Sequence, residues 1–210
     1  MMRKTVLFIS SLILIGAATA SESTPVEVVQ SASDEMLAAL DGKRDYYREH
    51  PDEVYPVIDK ILLPRFDRTF AAQQVLKKHW RTATPEQRER FIEAFYRLLM
   101  KNYAARVVDF QKDQLRILPA RAEATGPIDK VQTEVVLDDG TTARVDYVLR
   151  QKDGAWRVFD VYVEGVSYVV SYREEFNTEI SQKGLEATIE RLEADAAKEG
   201  PCCAETETKT

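Results

Sequence analysis

The sequence predicts an α+β protein in which a twisted four-stranded antiparallel sheet is covered by several helices. Up to about residue 110, apolar residues recur at every third or fourth position, which is typical of helices. From Leu115 onward they alternate at every second position, which is typical of strands. Two turn segments, Asp138-Asp139-Gly140 and Lys152-Asp153-Gly154, separate the last three strand segments and indicate consecutive hairpins.

The helices are predicted from apolar spacing and from boundary residues. Pro25 to Leu40 carries one apolar face, a short helix follows Pro51, and another begins at about Asp67. The clearest boundary is Thr84-Pro85-Glu86-Gln87, where a threonine N-cap, a proline and a glutamine have the spacing of a capping box. The helix that begins there is expected to reach Phe110 and to be roughly 38 Å long.

The strands follow in the order of the chain. On the third of them, Val145 and Tyr147 point to one face while Arg144 and Asp146 point to the other, so one face is expected to be buried and one hydrated. The four predicted strands are Leu115 to Leu118, Val131 to Leu137, Thr141 to Gln151, and Ala155 to Val163.

The residues after the fourth strand are less regular. Gly165 is expected to act as a hinge or a point of close backbone approach. Val166 to Tyr172 suits a strand or a helix equally well, and Gly184 to Ala197 suits a terminal helix.

The two ends of the chain predict export and a short tail. Residues 1–20 have the basic start, the apolar core of about ten residues and the Ala18-Thr19-Ala20 site of a secretory signal peptide. A membrane anchor is the competing interpretation, but spanning a bilayer takes roughly 20 apolar residues. We therefore expect a periplasmic protein with one domain over residues 21–197. Residues 198–210, which contain Cys202 and Cys203, are expected to be a disordered tail.

Charge and composition exclude several classes of function. The chain has 35 acidic and 29 basic residues, a formal net charge of −6, which argues against a nucleic-acid partner. Outside the tail there is no cluster of residues with metal-ligand spacing, and no cofactor motif occurs. The sequence therefore predicts neither a metal nor a cofactor.

Candidate catalytic residues are few. His50 and His79 lie in polar segments at predicted helix ends. Asp146 or Asp160 on neighbouring strands could act as a general base if buried, as in enzymes with a cone-shaped α+β fold. Cross-strand ion pairs are the more ordinary role for such carboxylates. Arg173 could bind a phosphate, although an ion pair with a neighbouring glutamate is the simpler interpretation.

Apolar and aromatic residues are abundant for a sheet of four strands. Aromatic residues at helical spacing usually fill a core, and the sequence alone does not distinguish a filled core from a lined cavity. Two features favour a cavity: the amount of apolar material, and the small residues Gly165 and Ser167 that interrupt the apolar segment VEGVSYVVSY.

Two long motifs resemble a known family. The segments WRTATPEQRERFIEAFYRLL (80–99) and VDYVLRQKDGAWRVFDVYVEGVSYVVSYREEF (145–176) are similar to those of the MlaC or toluene-tolerance family, periplasmic phospholipid-binding proteins of the Mla pathway. The resemblance implies an NTF2-like or cystatin-like fold with an internal apolar cavity for acyl chains. It implies a carrier, not an enzyme, that shuttles phospholipid and supports outer-membrane lipid asymmetry.

The resemblance also implies partners and lining residues. The partners would be an outer-membrane lipoprotein complex and an inner-membrane ABC transporter complex with its periplasmic lipid-binding subunit. Where the family tends to have leucine, glycine and lysine, this chain has Leu76-Lys77-Lys78, so this helix is expected to end differently. Carried onto this chain, the cavity walls would be Phe66, Phe70, Phe95, Leu99 and Tyr103 from the helices and, opposite them, Val135, Tyr147, Val163, Val166, Val169 and Tyr172.

Overall fold

The structure is a computed structural model that describes residues 23–111, 114–119, 126–136 and 140–197. The predicted signal peptide and the tail with Cys202 and Cys203 lie outside the described residues. The described helices are α1 (Pro25–Leu40), α2 (Arg44–Glu49), α3 (Tyr55–Leu62), α4 (Arg68–Leu76), α5 (Lys78–Thr82), α6 (Pro85–Asp109), α7 (Tyr168–Lys183) and α8 (Leu185–Ala197). The described strands are β1 (Leu115–Ile117), β2 (Ile128–Val136), β3 (Thr142–Lys152), β4 (Ala155–Val163) and β5 (Val166–Ser167). The predicted α+β class is confirmed.

The strands form one antiparallel sheet in the order β1-β2-β3-β4-β5. The predicted number of four strands was wrong because a two-residue strand follows the fourth. Glu164 and Gly165 both have positive φ, 49° and 81°, as in the tight turns that suit hairpins. This turn pairs Val166 with Val163. The segment after Gly165 is thus first strand and then helix.

The hairpin predicted between the last two long strands is confirmed. Asp153 and Gly154 have φ values of 52° and 74°, and β3 pairs with β4 on either side of them. The turn at residues 137–139 lies outside the described residues, but β2 and β3 pair antiparallel from Ile128 to Val136.

The predicted capping box starts α6. The Thr84 side chain accepts a hydrogen bond from the Gln87 backbone N–H at 3.1 Å, and the Gln87 side chain accepts one from the Thr84 backbone at 3.1 Å. The helix has 25 residues and ends at Asp109. The short helices α2 and α5 were not predicted, because six and five residues are too few to show an apolar period.

The buried apolar residues form three separate clusters. The four-helix cluster joins α4, α6, α7 and α8 around Phe91 and Phe176. The front cluster joins α1, α2, α3 and α6 around Leu40 and Ile58. The sheet cluster joins α1 to the sheet through Val28, Val29, Val131, Leu149 and Trp156.

The end of α4 is strained at Lys77. This residue has φ 46° and ψ −108°, a conformation that a residue with a Cβ adopts only at a cost. Lys77 occupies the position at which the family that the sequence resembles tends to have glycine. Lys77 thus has a conformation that favours glycine, and whether the helix ends differently from those of the family stays a prediction.

We expect Lys77→Gly to raise the free energy of unfolding by about 1 kcal/mol, because glycine adopts this conformation without strain. Urea denaturation followed by circular dichroism measures the change. Gln73→Gly, an exposed position inside α4, is the control and should instead lower stability by about 1 kcal/mol. Equal losses in both variants would show that Lys77 is not strained.

Candidate functional site

One face of the central strands is mostly apolar, with Thr133 as a buried polar residue within it. The register places Tyr147 opposite Val131 on β2 and Val161 on β4, and it places Val145 opposite Val163. Helix α1 packs on β2 and β4, and α4 and α7 also reach β4. Tyr147, Val145, Val161 and Val163 nevertheless keep intermediate exposure, so the helices do not bury this apolar surface completely.

The long helix α6 packs mainly against other helices. It contacts α2, α3, α4 and α8, and its aromatic rings contact those of α7. Its residues supply both the four-helix cluster and the front cluster, whereas the sheet cluster contains none of them. A domain of this size usually has one contiguous core, so the separation of the sheet cluster from the clusters built on α6 is unusual.

Tyr147 is surrounded by protein but not completely covered. Burial raises the pKa of its hydroxyl, and no hydrogen-bond partner contributes to that shift. The side chain keeps intermediate exposure.

Three tyrosines lie together where α6 meets the start of α7. The Tyr103 and Tyr168 rings stack at 5.3 Å between centroids, and the Tyr103 and Tyr172 hydroxyl oxygens are 3.4 Å apart. Burial is the main cause that raises the pKa of Tyr103 to about 12 and that of Tyr168 to about 12. The Arg106 guanidinium lies 5.7 Å from the Tyr103 ring centroid, which places a cation beside this aromatic group.

The tyrosine group continues into the four-helix cluster. Phe95 contacts Tyr172 edge to face at 5.1 Å, and Tyr172 stacks on Phe176 at 5.8 Å. Leu99 packs against the same cluster while remaining partly exposed. Leu99, Tyr103 and Tyr172 are therefore brought together by α6 and α7, and their contact with a ligand stays a prediction.

Other predicted lining residues lie in different surroundings. Phe95 and Val169 are 4% and 6% exposed inside the four-helix cluster, where they act in packing. Val166 is 57% exposed, because the two-residue strand β5 is at the edge of the sheet. Its placement argues against the predicted position on a cavity wall.

The remaining predicted residues are half-buried on or near the sheet. Phe66 joins β4 through a bridge to Val158, and Phe70 contacts Phe159 edge to face at 4.9 Å. Val135 pairs with Leu115 and with Ala143. Whether these residues contact a ligand stays a prediction.

Asp160 caps a helix. Its carboxylate accepts hydrogen bonds from the Ser167 hydroxyl at 2.6 Å, from the Val169 backbone N–H at 3.0 Å and from the Val161 backbone N–H at 2.8 Å. Ser167 in turn accepts a hydrogen bond from Val170 N–H as the N-cap of α7. Both carboxylate oxygens are occupied by structural donors, which leaves little capacity for a general base.

Asp146 lies in an ion-pair group between strands. It is 5% exposed, Arg144 donates to it at 3.0 Å, and the Lys130 ammonium is 3.8 Å away. Lys130 also lies 3.7 Å from the centroid of the Tyr162 ring. Asp146 was predicted on the hydrated face of the strand, but its carboxylate is buried because these long side chains cover it; the predicted ion-pair role is confirmed.

Asp67 is a structural residue whose importance the sequence did not show. It is 2% exposed, caps α4 by accepting from Phe70 N–H at 3.1 Å, and is paired with Arg150 and Lys152 at 3.3 Å each. Only its place just before a predicted helix could have indicated a cap. The two pairings tie α4 to β3.

The histidines and Arg173 also make structural contacts. His79 Nε2 lies 3.0 Å from the Asn177 side chain, and His50 Nδ1 lies 3.0 Å from the Tyr46 carbonyl oxygen. Arg173 donates to the Gln74 carbonyl at 2.8 Å, so the predicted glutamate pairing was wrong. Within the described residues, no group of three or more acidic, histidine or cysteine side chains could hold a metal ion. Among those same residues, no helix is long and apolar enough to cross a membrane.

These features define a class: an α+β protein whose helices only partly cover the apolar face of an antiparallel sheet, with three tyrosines where α6 meets α7. Comparison with known proteins agrees with this description. Residues 30–194 match the model of the MlaC protein family. The chain belongs to the MlaC family.

Individual relatives extend over most of the chain. The toluene tolerance protein Ttg2D of Pseudomonas putida is 30% identical over 183 residues, 86% of this chain and 85% of that protein. The intermembrane phospholipid transport system binding protein MlaC of Haemophilus influenzae is 19% identical over 91% of each chain. The solved structure of a phospholipid-binding protein from Ralstonia solanacearum, in complex with a phospholipid, is similar with a TM-score of 0.77 and 26% identity. That comparison covers 84% of this chain and all of the other.

Proposed function

We propose that this protein is a periplasmic phospholipid carrier that encloses acyl chains between α6 and the sheet. The observation that carries the proposal is the separation of the sheet cluster from the two clusters built on α6, with partly exposed apolar residues on both sides. The family membership and the phospholipid held by the similar Ralstonia solanacearum protein support it.

The physical need for such a carrier follows from hydration. Each methylene group transferred from an apolar environment to water costs about 0.8 kcal/mol, so free diffusion of a two-chain lipid through an aqueous compartment is very unfavourable. A pocket that replaces water around the chains removes this cost and requires no catalytic group. We propose Leu99, Tyr103 and Tyr172 on the helices and Val145, Tyr147, Val161 and Val163 on the sheet as its walls.

The transport role includes partners on both membranes. The carrier would receive or deliver lipid at an outer-membrane lipoprotein complex and at an inner-membrane ABC transporter complex with its periplasmic lipid-binding subunit. Such exchange would support the lipid asymmetry of the outer membrane. The Haemophilus influenzae relative, named as part of an intermembrane phospholipid transport system, supports this proposal.

A general-base enzyme is the weaker alternative. Asp160 binds three structural donors and Asp146 binds two cations, so neither carboxylate is presented to a substrate. The described residues therefore favour binding over catalysis.

We expect protein purified from a bacterial periplasm to contain phospholipid in near-stoichiometric amount, because an apolar space that has closed on acyl chains releases them slowly. Solvent extraction and mass spectrometry measure the amount per protein. An unrelated periplasmic protein, purified in the same way, is the control. The proposal would be overturned if this protein had a closed core and contained no more phospholipid than the control.

A further inference from the structure

A cavity on the outer surface of the helices lies apart from the apolar residues proposed to contact lipid. Its volume is about 370 Å³, and it lies at the junction of α4 and α5. The residues that line it are Gln73, Gln74, Lys77, Lys78, Trp80 and Arg81. We call this cavity and its rim the basic pocket.

The rim of the basic pocket carries cationic side chains that form no ion pairs within the described residues. Arg88 lies 5.1 Å from the Trp80 ring centroid, and Arg173 donates to the Gln74 carbonyl. None of Lys77, Lys78, Arg81, Arg88 and Arg173 forms an ion pair within the described part of the chain.

Two arginines elsewhere in the protein are, by contrast, paired with carboxylates. Arg90 is paired with Glu186 and Glu193, and Arg191 is paired with Glu179 and Asp195. A concentration of five unpaired cations is notable in a chain whose net charge is −6. Such a local potential attracts an anionic partner and raises its rate of encounter.

The basic pocket has a strained backbone residue and is held by hydrogen bonds on two sides. Lys77, which lines it, has the strained backbone conformation described above, with φ 46°. Arg173 on α7 and Arg88 on α6 fix the two sides of the pocket through hydrogen bonds to the Gln74 and Trp80 carbonyl oxygens. The cations are thus held on three helices around one concavity.

We propose that the basic pocket is a docking site for an acidic segment of a partner protein. A concave site accepts carboxylate side chains on a protruding segment, whereas a flat anionic membrane does not enter it. The large apolar side chains that are exposed, Val26, Tyr46, Ile128, Val166 and Val170, are not among the lining residues, and Trp80, which does line the pocket, is only partly exposed, so a bilayer has little apolar surface to hold here. The inference does not depend on lipid carriage.

An oligoglutamate peptide is the probe for this site. In a two-dimensional NMR titration of the full mature protein, the peptide should shift the indole N–H resonance of Trp80 and leave that of buried Trp156 unchanged. Trp80→Phe assigns the resonance. The double variant Lys78→Glu, Arg81→Glu should weaken binding at least about tenfold, because reversed charges repel the peptide.

The control is the double variant Lys43→Glu, Lys60→Glu, which reverses the charge of two exposed lysines outside the pocket. Its net charge equals that of the Lys78→Glu, Arg81→Glu variant. It should bind the peptide within about twofold of the parent, which separates a local site from a general charge effect. Equal weakening in both double variants, or no Trp80 shift, would overturn the proposal. A second outcome would overturn the proposal in favour of a membrane surface. In that case the protein would bind vesicles of phosphatidylglycerol and phosphatidylcholine through Lys78 and Arg81 and would not bind the peptide.

The lipid content of the same variants keeps the two proposals separate. The Lys78→Glu, Arg81→Glu protein should retain as much co-purified phospholipid as the parent. Failure of peptide binding with normal lipid content would reject only the docking site. Absence of lipid from the parent with normal peptide binding would reject only lipid carriage.

Discussion

Leu99→Glu is expected to reduce co-purified phospholipid at least about tenfold. Leu99 is on α6 and, like Tyr172, is only partly buried against the four-helix cluster. We propose that acyl chains contact its exposed part. A carboxylate without a partner is unfavourable beside acyl chains, so either it excludes the lipid or it draws water into the space. Quantitative mass spectrometry of extracted lipid, normalised to protein, measures the effect.

The control for this variant is Val166→Glu, which introduces the same charge at a surface position. Because Val166 is 57% exposed, its variant should keep both normal lipid content and stability within about 0.5 kcal/mol of the parent. Normal lipid content in Leu99→Glu would place Leu99 outside the binding space.

A second variant covers the case in which Leu99→Glu does not fold. Val161→Phe adds volume on the apolar face of β4 without adding charge. In a filled core such overpacking lowers the free energy of unfolding by about 1–3 kcal/mol. If the phenyl group instead enters a gap, the loss of stability should be smaller and part of the lipid should be displaced. Reduced stability with unchanged lipid would contradict a gap at this position.

Asp160→Ala is expected to lower the free energy of unfolding by about 3 kcal/mol, because it removes a buried carboxylate and leaves its donors unsatisfied. The lost partners include the Ser167 hydroxyl and the Val169 N–H at the start of α7. Urea denaturation measures the loss, and hydrogen exchange should show it concentrated in the first turns of α7.

Asp146→Ala is the matched control, since it also removes a buried aspartate from the sheet. Its partners Lys130 and Arg144 are 39% and 44% exposed and become hydrated when the carboxylate is removed, so the loss should be about 1 kcal/mol. Folded Asp160→Asn and Asp146→Asn proteins should both retain phospholipid. If either substitution abolished function in a membrane-integrity assay while leaving stability and lipid content unchanged, the enzyme alternative would regain support.

Much of the fold could be predicted because its boundaries have local chemical causes. The capping box at Thr84 and the Lys152-Asp153-Gly154 turn depend on neighbouring residues alone, and both are confirmed. Helices α2 and α5 were missed because elements of one or two turns carry no measurable period. Strand β5 was missed because two residues depend on pairing with β4, which the sequence does not reveal.

The candidate site could be predicted only in part, because periodicity gives a face and not a depth. Tyr103 and Tyr172 were expected on opposite walls, but both lie on neighbouring helices, and their hydroxyl oxygens are 3.4 Å apart. Val166 has the same residue type as Val169, yet one is at the surface and the other is buried. The difference arises from the turn at Glu164 and Gly165, which sends the chain to the sheet edge before α7 begins.

The division of the core into three clusters has a mechanical consequence for cargo of varying size. Close-packed clusters resist expansion, so extra volume is most easily gained between them. Within the described residues, α1 is the helix that supplies buried residues to both the sheet cluster, through Val28 and Val29, and the front cluster, through Met36 and Leu40. Because α1 is one continuous helix, it ties the front cluster to the sheet, and we expect a disulfide that also ties α6 to β4 to fix the volume between the clusters.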